Sequence, residues 1–75
     1  MRTIKITEEY IKLAQVLKLA DLANSGGESK HIILEGKVLV NNEIEVKRGR
    51  KIRNGDVVQL EGEEKIVIAK TTSGS

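Results

Sequence analysis

The sequence predicts an α+β fold, in which two short helices joined as a helix-loop-helix pack on a small antiparallel β-sheet. Three observations lead there. Apolar residues recur at three- and four-residue spacing before Gly36 and at two-residue spacing after it. Ser25 with Glu28 three residues later is a capping signal, and Gly36 is a natural left-handed terminator, so the two bracket one helix. Turn signals at Asn41-Asn42, Asn54-Gly55 and Glu61–Glu64 then cut the second half of the chain into four short strands.

Each element follows from local pattern. Arg2–Ile6 alternates polar and apolar residues, so Ile4 and Ile6 share one face of a strand. Thr7 offers an oxygen to cap a helix, and Glu8 and Glu9 suit its positive end. From Glu8 to about Ala23, the residues Tyr10, Leu13, Leu17 and Ala20 form an apolar stripe, which places Tyr10 in the core. Lys12, Gln15 and Lys18 form a polar stripe beside it. Asn24–Gly27 breaks this helix, and a second runs to Glu35, with Ile32, Ile33 and Leu34 on its buried side. Lys37–Val40 and Glu43–Val46 make a hairpin about Asn41-Asn42, whose residues tolerate left-handed backbone. Residues 56–60 and 65–69 are the last strands. A chain of 75 residues buries only a small core, read as a single domain over residues 1–70 with a flexible tail over 71–75.

Composition excludes more than it selects. Zero Cys removes disulfides and thiolate metal sites. The N-terminal stretch MRTIKITEEY lacks the apolar run of a leader and no segment approaches a membrane span, so a cytoplasmic protein with no membrane contact is expected. Catalytic side chains are sparse. His31 is the only histidine and reads as a surface or half-buried helix residue. Gly26-Gly27 is a helix-start loop that could also meet an anion, but it matches no nucleotide fingerprint. Glu61, Glu63 and Glu64 read as a solvated turn. No enzyme activity, cofactor or metal is implied.

The charge is concentrated where the net value hides it. A net charge of +2 includes the run Lys47, Arg48, Gly49, Arg50, Lys51, Ile52, Arg53, which contains no acid. Such a block repels itself unless a polyanion lies against it. Arginine predominates there, and its planar fork matches phosphate oxygens. Gly49 would let the loop turn sharply, and Ile52 would anchor it to the core. Lys12, Lys18 and Lys30 lie on helices that could present the same side. With one aromatic residue, stacking on several bases is excluded, which favours phosphates and the shape of folded RNA.

Lys12-Leu13, Leu17-Lys18, Ser25-Gly26-Gly27-Glu28-Ser29-Lys30, Glu35-Gly36-Lys37-Val38, Val40-Asn41 and Gly55-Asp56-Val57-Val58 follow one another over residues 10–60. In this ordered series the chain resembles the RNA-binding domain named after small-subunit ribosomal protein S-four, built on the αL motif. It looks closest to the small stand-alone bacterial YaaA-like members. The resemblance implies contact with structured RNA, ribosomal or transfer, and association with the ribosome. By position, it implies RNA contacts from Lys12, Lys18, Ser25 and Lys30 on the helix side. Asn41 and the Arg48–Lys51 loop would add contacts from the sheet side, and the charge run itself adds Lys47 and Arg53 to the expected RNA-binding residues. The chain departs from the family pattern at Ala14, where an acid is common, and at Asn41-Asn42, where Asn-Gly is common. The Gly26 loop also lacks the usual basic residue, which shifts weight to Arg48, Arg50 and Lys51. The expected protein is therefore a monomeric, non-enzymatic RNA-binding module. The alternative is a protein-interaction module that docks its basic loop on an acidic partner surface. A sulfur-carrier role would need a terminal Gly-Gly, and the chain ends Ser73-Gly74-Ser75.

Overall fold

The computed structural model describes residues 1–71. In chain order the elements are β1 (Arg2–Ile6), β2 (Tyr10–Lys12), α1 (Leu13–Leu19), α2 (Gly26–Leu34), β3 (Val38–Val40), β4 (Glu43–Ile44), β5 (Lys51–Arg53), β6 (Val57–Leu60) and β7 (Ile66–Lys70). The α+β architecture is as expected, with two helices against a sheet. That sheet is mixed rather than purely antiparallel. Its order is β1-β7-β6-β3-β4, and β1 runs parallel to β7 in the register Ile4 to Ile68. A second sheet pairs β2 with β5, antiparallel.

One core lies between these layers. Leu13, Val16 and Leu17 of α1 and Ile33 of α2 meet Val38, Val58, Ile66 and Ile68 from the sheet and Ile52 from β5. Each such side chain taken fully from water contributes about 1.5–3 kcal/mol before entropy is counted. Leu34, expected on the buried side of α2, is instead 59% exposed.

The first helix differs most from expectation. It begins at Leu13, not Glu8, because Tyr10–Lys12 is a strand. Ile11 sits opposite Ile52, and both are buried, so a long-range pairing outweighs the local helical period. Thr7 caps no helix; its N–H and its hydroxyl both donate to the Glu8 carboxylate. The helix stops at Leu19 because Asp21 adopts a left-handed φ of 61°. The Asp21 N–H donates to the Lys18 carbonyl and the Leu22 N–H to the Leu17 carbonyl, which closes a Schellman motif with aspartate where glycine is usual.

The second helix and first hairpin follow local chemistry closely. Ser25 Oγ accepts from the Glu28 N–H at 3.1 Å, and Gly36 follows the helix with φ 76°. Asn41 and Asn42 hold φ values of 51° and 70°, the left-handed pair of a two-residue hairpin turn. The return strand β4 is short, and Ile44 and Val46 stand out in solvent instead of pairing with the core. Thr71 is tied to the sheet by its N–H, which donates to the Ile6 carbonyl. The rest of the expected 71–75 tail lies outside the described residues.

Candidate nucleic-acid interface

The β2–β5 ribbon sorts its side chains by strand alternation. Ile11 and Ile52 face inward and are buried. Tyr10, Lys12, Lys51 and Arg53 face outward, with Tyr10 opposite Arg53 and Lys12 opposite Lys51. Like charges placed opposite each other on a strand pair are unfavourable. Lys12 and Lys51 nevertheless stand in that relation, and neither has a carboxylate partner among the described residues. The ring of Tyr10 lies beside two of these cations, with Lys51 Nζ 5.0 Å and the Arg53 guanidinium carbon 5.5 Å from its centroid.

The loop before β5 is fixed by its backbone, which leaves its side chains free for other work. Lys12, at the N-cap of α1, offers no side-chain cap. The Leu13 N–H donates instead to the Arg50 carbonyl at 2.9 Å, and the Ala14 N–H to the Arg48 carbonyl at 3.1 Å. Two of the helix's unpaired first-turn donors are thus satisfied by the basic loop itself. A turn closed from the Arg50 N–H to the Lys47 carbonyl lets the chain present these carbonyls. Gly49 sits in that turn without a positive φ, and a Cβ there would meet nothing within 4 Å. The loop therefore does not need glycine for a sharp turn or a close approach, contrary to expectation.

The structure gathers some of the expected residues and leaves others apart. Lys12, Arg48, Arg50, Lys51 and Arg53 are joined through the ribbon and the helix start, and Lys47 adjoins them as the carbonyl acceptor of the turn. Lys18 on α1 and Lys30 on α2 are exposed, but no hydrogen bond or ion pair among the described residues ties either to the loop. Ser25 has a local task as the cap of α2. Asn41 also has structural work. Its amide donates to Asp56 Oδ1 and its carbonyl oxygen accepts from the Val57 N–H, which staples the first hairpin turn to β6.

Arg50 is the one member of the cationic stretch whose side chain forms an ion pair among the described residues. Its guanidinium meets Glu45 Oε1 at 2.6 Å. That hydrogen bond holds the Glu45 carboxyl below the usual carboxylate range, against partial desolvation and with help from the Lys47 N–H. Ion pairs with Lys70 and Lys37 likewise lower Glu9 and Glu35. Tyr10 is the side chain of this face that sequence periodicity misplaced. It is 37% exposed and belongs to the cationic face, not the core. The signal that could have found it is the matching alternation of Tyr10-Ile11-Lys12 and Lys51-Ile52-Arg53.

A helix pair on a mixed sheet, with a basic ribbon docked at the start of the first helix, defines a small binding module. The S4 domain family model matches residues 4–69, and the chain belongs to that family. It is 52% identical over 59 residues to the Bacillus subtilis protein named "Probable ribosome maturation protein RlbA", a match spanning 79% of this chain and 83% of that one. It is 33% identical over 60 residues to Escherichia coli YbcJ, spanning 80% and 86% of the two chains. The solution structure of YbcJ, described as having an αL motif involved in RNA binding, superposes with a TM-score of 0.69 at 27% identity. That superposition covers 92% of this chain and 87% of YbcJ. The 30S ribosomal protein S4e of Thermoplasma acidophilum shares the fold with a TM-score of 0.58 at 18% identity, covering 88% of this chain and 40% of that one.

Proposed function

We propose that this protein is a non-enzymatic RNA-binding module that acts on ribosomal RNA in the cytoplasm, in the course of ribosome assembly. The observation that carries this reading is the outer face of the β2–β5 ribbon and its loop. There, the side chains of Lys12, Lys47, Arg48, Lys51 and Arg53 lie together with no ion pair to a carboxylate among the described residues. A cationic face whose side chains are mostly free of ion pairs, on a folded scaffold, suits a polyanion of fixed shape. Membership of the S4 family supports RNA as that polyanion, and the likeness to a ribosome maturation protein supports ribosomal RNA. Lys12, Arg48, Arg50, Lys51 and Arg53 supply charge to phosphates from the ribbon and its loop, while Lys18 and Lys30 set the docking angle from the helices.

The test is the triple substitution of Arg48, Arg50 and Lys51 by Ala. These side chains are exposed, and the helix-capping groups at this loop are backbone carbonyls, so the fold is expected to survive. Binding to ribosomal RNA should weaken, and the slope of log K against log salt should become shallower by about 2–3, at roughly 0.7–0.9 for each phosphate no longer neutralised. Unchanged affinity at low salt in a folded triple variant would refute the reading. Binding by the wild type that persists after nuclease treatment would favour an acidic protein partner instead.

A further inference from the structure

We propose that Tyr10 is a stacking platform for a single unpaired nucleobase, so that the domain selects RNA interrupted by a bulge or an unstacked residue over continuous duplex. This rests on the RNA-binding reading and goes beyond phosphate contact. Tyr10 is the only aromatic side chain in the protein, and it stands on the solvent face of a two-stranded ribbon whose other face is in the core. Lys51 and Arg53 lie 5.0 and 5.5 Å from its ring centroid, and Lys12 stands opposite Lys51 on the same face.

The cluster has the composition that reads one nucleotide. An aromatic ring takes the base, and flanking cations take the phosphates on either side. An exposed cation–π contact is weaker than a base–aromatic stack, so Lys51 and Arg53 can turn from the ring to phosphate when a base arrives. Within an A-form duplex the bases stack on one another and the deep groove is closed to side chains. A ring on the outer face of this ribbon is therefore met only by a base already out of the stack. One ring gives one such contact, consistent with recognition of an isolated bulge and not of a single-stranded run.

The chain contains one Tyr and no Trp, so its intrinsic fluorescence reports on this position alone. The probes are a short RNA duplex carrying one bulged adenine and the same duplex without it. For the wild-type protein, the bulged RNA is expected to bind more tightly and to quench Tyr10 emission, whereas the continuous duplex binds without comparable quenching. Tyr10→Leu should lower affinity for the bulged RNA by about five-fold or more and bring it to that of the duplex, while Tyr10→Phe keeps the preference. Circular dichroism confirms that each variant is folded. Binding of both RNAs with equal affinity and no quenching would overturn the stacking role alone and leave the RNA-binding reading standing. Failure of the wild type to bind either RNA at low salt would overturn both.

Discussion

Glu45 restrains a cation that would otherwise be available to a ligand. Its side chain is 15% exposed and holds the Arg50 guanidinium at 2.6 Å, whereas the side chains of the neighbouring Arg48 and Lys47 form no ion pair among the described residues. Because the folded-state pKa of Glu45 lies below its ordinary value, the pair's contribution to stability is complete above the usual carboxylate range. It is lost as pH falls through the lowered value. Glu45→Gln removes the charge while keeping the shape. The variant is expected to bind RNA more tightly at low salt, to melt slightly earlier near neutral pH, and to lose less stability than the wild type on acidification. Parallel RNA titrations and thermal melts check all three, and unchanged or weaker binding would show that Arg50 does not face the ligand.

At the scale of elements, the β2–β5 ribbon links core, helix start and cationic face through one residue. Ile52 is fully buried, and its neighbours in the strand are Lys51 and Arg53 on the outer face. Ile52→Ala is expected to cost about 2–5 kcal/mol in denaturant unfolding, as for other large-to-small core changes. It should also speed hydrogen exchange at the Leu13 and Ala14 amides, whose acceptors are the carbonyls of Arg50 and Arg48. A loss below about 0.5 kcal/mol would mean that the ribbon is not anchored there. The same ribbon marks the boundary of what the sequence made legible. The α2 cap at Ser25 and the left-handed turn at Asn41-Asn42 depend on neighbours within a few residues, and alternation located β3, β4, β6 and β7, but β5 lies inside the stretch that composition marks only as a charged loop. The strand Tyr10–Lys12 depends on a partner some forty positions away, at Lys51–Arg53, and its residues also fit a helical stripe. Asp21 ends α1 in a conformation that glycine usually announces, so that boundary was hidden too. The basic residues of the site were visible as composition, but their attachment to Tyr10 and to the start of α1 required the pairing.

For the whole molecule, the question is whether total charge or its placement governs binding. The acidic turn Glu61–Glu64 lies at the end of β6 away from Asp56, whose side chain accepts the Arg53 N–H beside the ribbon. Five extended steps lead from Asp56 to Glu61, about 16 Å at ~3.3 Å each. That is about two Debye lengths at physiological salt, so the acids scarcely weaken the field at Arg53. Lys37 and Lys65 sit at the acidic end. The Lys37 carbonyl accepts from the Glu61 N–H, its ammonium pairs with Glu35 at 3.0 Å, and Lys65 directly follows the turn. Two double variants therefore carry equal charge and different placement. Lys12→Gln with Lys51→Gln, and Lys37→Gln with Lys65→Gln, each lower the net charge from +2 to 0 (2 − 2). If placement governs, the ribbon variant should lose affinity for ribosomal RNA and flatten the salt dependence by about 1.4–1.8 in log–log slope, at roughly 0.7–0.9 for each phosphate left without its lysine. The variant at the acidic end should bind nearly as the wild type does. Equal losses in both would mean that net charge alone draws the RNA and that the ribbon is not the surface it meets.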